Sequence, residues 1–139
     1  MTQVRILLVD DSAIDRMFMR TSIEGLPGGS WKVDEADGGA SALEAMQRAR
    51  YDAVMLDLRM PGQDGIEVLR SIRDRQDGTW PLVLMCSSSD HPTDVSSAYA
   101  AHANAYLCKP DSMEGYARLA ESFQGLLQHV CGPQSCQRG

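Results

Sequence analysis

Five short apolar runs recur along the chain: RILLV (5–9), WKVDEA (31–36), AVML (53–56), PLVLMC (81–86) and NAYLC (104–108). Three of them are nearly continuous in Val, Leu and Ile. A strand with one face in water alternates polar and apolar residues, whereas a strand covered on both faces reads this way. The stretches between the runs carry helical periodicity. Ser12 to Glu24 holds Ile14, Met17, Phe18 and Ile23, with Ser12 as the N-cap, and Leu26-Pro27-Gly28-Gly29 ends it. Ser41 to Arg48 holds Leu43 and Met46, and Asp64 to Asp74 holds Ile66, Leu69 and Ile72. Thr93 to Ala101 is Ala-rich. Met113 to Val130 holds Tyr116, Leu119, Phe123, Leu126, Leu127 and Val130 as one long stripe. Strand and helix alternate five times, which predicts an α/β fold with a parallel sheet and right-handed crossovers.

The 139 residues suit one domain, expected over 1–130, with 131–139 as a flexible C-terminal tail and no effector module. The net charge of −6 disfavours nucleic acid, because phosphate would be repelled. Phosphate chemistry would therefore need a metal or a local basic group. No apolar stretch approaches the roughly 18 residues of a membrane span. MTQVRILLVDDS lacks the basic head and long apolar middle of a signal peptide, so the expected location is cytoplasmic with no membrane partner. In that compartment Cys86, Cys108, Cys131 and Cys136 are expected as free thiols. The spacing of His129, Cys131 and Cys136 matches no zinc pattern.

In an open α/β sheet, ligands sit beyond the carboxyl ends of the strands. The residues there are Asp10-Asp11-Ser12 after the first run, Asp57 after the third, Ser87-Ser88-Ser89 after the fourth and Lys109-Pro110 after the fifth. Each alone has an ordinary explanation. An acidic pair before a helix serves capping and the helix dipole, a serine run opens a helix, and Lys-Pro makes a loop. Four such placements on one rim form a site. Three crowded carboxylates repel one another unless they share a proton or a cation. Hard oxygen ligands with room for water suit Mg²⁺. Asp11 and Asp57 are the expected direct ligands, Asp10 acts directly or through water, and a backbone carbonyl just after Asp57 completes the protein share. A carboxylate beside a divalent ion can attack phosphorus. Lys109 then supplies a cation and Ser87 a hydroxyl for the phosphoryl oxygens.

VDDS, MLDLRMPGQDG, MCSSSD and NAYLCKP together resemble the receiver domain of two-component response regulators, CheY-like and stand-alone, over roughly residues 4 to 130. The resemblance implies a (βα)5 flavodoxin-like doubly wound sandwich, its five-stranded parallel sheet ordered 2-1-3-4-5. It implies Asp57 as phosphoacceptor, Asp10 and Asp11 as the acidic pair around Mg²⁺, and the backbone carbonyl of Arg59 as a metal ligand. It implies Lys109 and Ser87 as partners of the phosphoryl group, and Ser88 as the small residue that permits access. Ser87 and Tyr106 become the switch pair, and Arg59 and Ser89 the positions that tune phosphoryl lifetime. It implies a cis bond before Pro110. His102-Ala103 stands where many receivers have Gly-Ala, so a differently shaped turn is expected.

The function implied is signalling rather than enzymatic. A sensor histidine kinase phosphorylates Asp57, and the face built from the fourth helix, fifth strand and fifth helix (α4-β5-α5) changes shape toward an unidentified downstream protein. SSAYAAHANAYLCKP resembles single-domain receivers paired with phytochrome-type kinases, a subgroup that dimerises through that same face. Two rivals are a phosphorylation-independent scaffold and a small Mg²⁺-dependent aspartyl-phosphate phosphatase. The complete acid, Ser and Lys set argues against the first. Asp57-Leu58-Arg59 lacks the second acid that the phosphatase needs. A flavin or nucleotide carrier on the same fold would meet repulsion from Asp10 and Asp11.

Overall fold

The computed structural model describes residues 3–28, 30–75 and 80–129. Five strands form the main sheet: β1 (Val4–Val9), β2 (Trp31–Ala36), β3 (Ala53–Leu56), β4 (Leu82–Ser87) and β5 (Ala105–Cys108). All pair in parallel in the order β2-β1-β3-β4-β5, as the alternation and the resemblance require. The helices are α1 (Ala13–Glu24), α2 (Gly39–Arg48), α3 (Gly65–Arg73), α4 (Pro92–Ala100) and α5 (Met113–His129).

Two cores explain the unbroken apolar strands. Ile6, Leu8, Met55 and Leu84 face α1 and α5, where they meet Met19, Ile23, Tyr116, Ala120 and Phe123. Their strand neighbours Leu7, Val9, Val54, Leu56, Val83 and Met85 point the other way, onto Ala42 and Met46 of α2, Val68, Leu69 and Ile72 of α3, and Ala98 of α4. Successive strand side chains alternate faces, and here both faces are dry. Each fully buried Leu, Ile or Val contributes roughly 1.5–3 kcal/mol. β5 is the edge strand next to β4 and is only half-buried, which fits its weaker apolar pattern.

Local signals start the helices. The Ser12 hydroxyl accepts from the Asp15 N–H at 3.2 Å, and Asp64 Oδ1 accepts from the Ile66 N–H at 2.8 Å. His91 caps α4 through Nδ1, with Pro92 at the first helical position. The α1 stripe differs from its expected membership. Met19 and Ile23 are buried and Phe18 packs beside them, but Ile14 and Met17 stand 61% and 52% exposed. The spacing of Ile14 and Met17 satisfies helical periodicity, yet the sheet covers only the Met19–Ile23 side.

Two expectations near β5 are resolved. The Lys109–Pro110 bond is trans, correcting the cis bond expected at Pro110. Trans is the lower-energy form of an X-Pro bond by about 0.5–1 kcal/mol. The chain reaches this bond straight from the sheet, with the Lys109 N–H donating to the Ser87 carbonyl at 2.8 Å. His102 keeps the shape that glycine would give the preceding turn, by adopting φ 71° itself. Arg73 pins that turn by donating to the carbonyls of His102 and Pro81 and to Asn104 Oδ1, at 2.9, 2.9 and 2.7 Å. Cys86 and Cys108 are free thiols. Val130, Cys131, Cys136 and the expected tail lie outside the described residues.

Candidate functional site

The strand order reverses direction at β1 and β3, so their carboxyl ends open onto a crevice. Asp10 and Asp57 are the first residues past those two ends. Sheet bonding carries into both, since the Asp10 N–H donates to Ala36 O at 3.1 Å and the Asp57 N–H to Val9 O at 2.9 Å. Their backbones are therefore as rigid as the sheet. Asp10 is further held by its side chain, where Oδ1 accepts from the Ser12 N–H at 2.9 Å. The Arg16 guanidinium, itself held by Glu35 at 2.8 Å, donates to the Asp10 carbonyl.

The loop after Asp57 is shaped by its turn residues. Gly62 takes φ +81°, and Arg59–Met60 pairs antiparallel with Gln63–Asp64 in a short ladder that periodicity did not reveal. α3 then starts hard against the Asp57 peptide. The Gly65 N–H donates to Leu58 O at 2.8 Å, and a Cβ at Gly65 would lie 2.2 Å from the Asp57 carbonyl oxygen. Only glycine fits there.

Asp10, Asp11 and Asp57 offer carboxylate oxygens that all lie within 4.8 Å of one another. Asp10 and Asp57 are 9% and 6% exposed, while Asp11 stands open to solvent at the mouth. Lys109 reaches in from the end of β5. Its Nζ lies 2.8 Å from Asp10 Oδ2, 3.0 Å from Asp15 Oδ2 and 3.5 Å from Asp57 Oδ2. Burial, with the Asp10 charge adding to it, pushes the Asp57 carboxyl up to about 6 against the opposing pull of Lys109. Burial also works against the Lys109 ammonium. The Asp10 and Asp15 hydrogen bonds and the Asp10 and Asp57 charges outweigh it, so the lysine is held above its usual range and stays charged. One ammonium thus leaves the cluster short of positive charge. A donor set of close, hard oxygens under that shortage fits a small divalent cation.

The opposite wall comes from β4 and β5. Ser87 is 2% exposed, and its hydroxyl oxygen accepts from the Ser89 N–H at 3.1 Å. Ser88 lines the same open cleft as Asp57 and Lys109. The Ser89 hydroxyl donates to Asp94 Oδ2 at 2.6 Å, and its carbonyl accepts from the Tyr106 hydroxyl at 2.7 Å. Tyr106 is half-buried beside the α2–α4 core. Arg59 extends along the cleft and donates to both Asp94 oxygens, at 3.2 and 3.1 Å.

Asp10, Asp11, Asp57, Arg59, Ser87, Ser88, Ser89 and Lys109 lie on this one rim, with Pro110 just beyond Lys109, while Tyr106 sits within β5 and reaches the rim through its hydroxyl. Two residues were missed. Asp15 lies in the first turn of α1, three residues after the Ser12 cap, where an acid already has an ordinary helix-dipole explanation. Asp94 lies 35 residues from Arg59, and no local pattern announces that meeting.

The chain matches the response regulator receiver domain over residues 6–120. It is 36% identical over 123 residues to the two-component response regulator ORR41 of Oryza sativa subsp. japonica, covering 87% of this chain and 94% of that protein. It spans about half the length of the bacterial curated relatives it matches. Among solved structures, the Mn(2+)-bound form of response regulator Rcp1 superposes with a TM-score of 0.77 at 25% identity, covering 94% of this chain and 99% of that one. Response regulator TrrA of Thermotoga maritima, in complex with Mg(2+)-BeF, superposes with a TM-score of 0.70 at 29% identity, covering 88% and 98%.

Proposed function

This chain belongs to the response regulator receiver family, and from that premise we propose that it accepts a phosphoryl group on Asp57 from a sensor histidine kinase. The observation that carries the proposal is the triangle of Asp10, Asp11 and Asp57 oxygens with the Lys109 ammonium 2.8 Å from Asp10 and 3.5 Å from Asp57. An Asp57 oxygen bonds to phosphorus as the bond from phosphorus to the donor nitrogen breaks. Asp10, Asp11, Asp57 and the Arg59 carbonyl would hold Mg²⁺, which when bound would supply positive charge against the carboxylates and the phosphoryl oxygens. The metal in the Rcp1 structure and the Mg(2+)-BeF in the TrrA structure support that assignment by similarity.

Lys109 then exchanges part of its carboxylate contact for a phosphoryl oxygen. The Ser87 hydroxyl turns to another, giving up its place opposite the Ser89 N–H. Ser89 also carries the carbonyl that the Tyr106 hydroxyl holds, so a move at Ser87 reaches Tyr106 through one residue. The α4-β5-α5 face is the output, offered to a downstream protein or a second copy of the chain. Phosphorylation biases a two-state equilibrium there and makes no new fold. Arg59 and Ser89 border the phosphoryl site and set its lifetime. The phytochrome-type kinase rests on the SSAYAAHANAYLCKP resemblance. Among the described residues no helix is long and apolar enough to cross a membrane.

The test is phosphorylation by acetyl phosphate with and without Mg²⁺, read by intact mass and size exclusion. A Mg²⁺-dependent, base-labile adduct that is lost in Asp57→Asn is expected. No adduct in the wild type, or an undiminished one in Asp57→Asn, overturns the assignment.

A further inference from the structure

Among the described residues that line the cleft mouth, Arg59 is the cation that the acid cluster does not hold. Lys109 is committed to Asp10, Asp15 and Asp57. Arg59 instead crosses to the first turn of α4, where its Nη2 donates to both Asp94 oxygens at 3.2 and 3.1 Å. Asp94 is prepared for that role. The Ser89 hydroxyl donates to it at 2.6 Å, and with Arg59 alongside its carboxyl is held below the usual range. The Arg59 side chain is 70% exposed, and its ion pair among the described residues is with Asp94. Arg59 nevertheless lines the cleft that Asp57, Ser87 and Lys109 share.

We propose that Asp94 is a positioning residue that holds Arg59 off the phosphoryl site, so that a phosphoryl group on Asp57 and the Asp94 carboxylate compete for one guanidinium. This rests on the reading of Asp57 as phosphoacceptor and goes beyond it. A phosphoryl group carries close to two negative charges and presents paired oxygens, for which an arginine fork is well suited. The Asp94 carboxylate carries one negative charge. Phosphorylation therefore draws Arg59 over the phosphoryl group and releases Asp94, which leaves the Ser89 hydroxyl as its remaining partner. Ser89 and Asp94 bracket the start of α4, so the exchange loosens that helix end from the β3–α3 loop. A guanidinium over the phosphoryl group also blocks the line along which water attacks phosphorus.

Asp94→Asn keeps an oxygen for the Ser89 hydroxyl and removes the charge that binds Arg59. The probe is beryllofluoride with Mg²⁺, titrated by following the intrinsic fluorescence or NMR shifts of the full chain. Loss of an exposed ion pair that competes with binding predicts about two- to fivefold tighter binding in Asp94→Asn. The gain shrinks as salt screens the pair. The acetyl phosphate adduct should also decay more slowly. Both effects must vanish when Asp94→Asn is combined with Arg59→Ala, which a purely structural role for Asp94 would not require. Equal affinity in Asp94→Asn and wild type overturns the proposal. So does a gain that survives Arg59→Ala. A wild type that binds beryllofluoride and forms the adduct, yet shows neither effect, condemns this inference alone. A wild type that does neither condemns the Asp57 reading and this one with it.

Discussion

Asp57→Asn should make the metal-free protein more stable, though it removes the residue on which the proposed function turns. Asp57 is 6% exposed, and burial together with Asp10 lifts its carboxyl from 3.8 to about 6. The folded state therefore holds a proton more tightly than the unfolded chain does. Its stabilising share is complete below the unfolded value of 3.8 and is lost as pH rises through about 6. Above that, the charged carboxylate costs the fold roughly 3 kcal/mol, at 1.36 kcal/mol per pH unit. Asn removes the charge but leaves a buried amide to satisfy, which trims the gain to about 1–2 kcal/mol. Lys109 is not orphaned, because Asp10 and Asp15 remain at 2.8 and 3.0 Å.

Thermal melts in EDTA at pH 7.5 should place Asp57→Asn above wild type by about 4–8 °C. The gap should close as pH falls from 7 toward 4, where the wild-type carboxyl is protonated. Saturating Mg²⁺ should narrow it too, because a ligand that binds only the folded wild type adds its own stabilisation. A variant that melts at or below wild type in EDTA at pH 7.5 would refute the reasoning. A gap unchanged at pH 4 would show that the gain has nothing to do with charge.

Other perturbations test the neighbouring contacts. Lys109→Met strips the ammonium from three carboxylates and should cost the metal-free protein about 2–4 kcal/mol at neutral pH in urea melts, with part of the loss recovered at lower pH. Gly65→Ala drives a Cβ to 2.2 Å from the Asp57 carbonyl oxygen and 2.8 Å from Leu58 Cα, both backbone atoms that cannot swing away. It should cost more than about 2 kcal/mol and abolish acetyl phosphate labelling under conditions where the variant is still folded. His102, at φ 71°, separates backbone from side-chain effects. His102→Gly should stabilise by about 0.5 kcal/mol and His102→Val should destabilise by about 1–2 kcal/mol, read as opposite shifts of the urea midpoint.

The fold was legible because each element is decided by its own residues. WKVDEA and AVML end as strands where they were expected, and Ser12 and Asp64 cap the helices they precede. The rim was legible for a related reason. A parallel sheet sends every strand's carboxyl end to one edge, so Asp10, Asp57, Ser87 and Lys109 had to meet there. What escaped depends on how far side chains reach between elements. Ile14 and Met17 satisfy helical spacing and still face water, because periodicity fixes their angle around α1 but not where the sheet lies. The Arg59–Asp94 pair and the Arg16–Glu35 brace join residues far apart in sequence, on different elements. No local pattern fixes the isomer of the Lys109–Pro110 bond, and the structure has the ordinary trans form.

Asp15 changes how the lysine should be understood. With Asp10 and Asp57 alone, Lys109 would be the fixed counter-ion of the acidic pocket, and a divalent cation placed among the same oxygens would simply repel it. Asp15 lies on the outer side, 3.0 Å from Nζ, and gives the ammonium a carboxylate to keep when a cation takes Asp10 and Asp57. On the proposed function the exchange costs little. With Mg²⁺ held by the two buried acids, the lysine would keep its Asp15 contact, leaving its other donors for phosphoryl oxygens. Asp15→Asn should then leave folding nearly unchanged, because Asp10 still pairs with Lys109 in the absence of metal. It should weaken Mg²⁺ binding several-fold, since the displaced ammonium has lost its second carboxylate. A Mg²⁺ titration followed by fluorescence decides the point. Unchanged or tighter Mg²⁺ binding in Asp15→Asn would mean that Asp15 merely adds to the negative charge at the rim and does not stage the exchange.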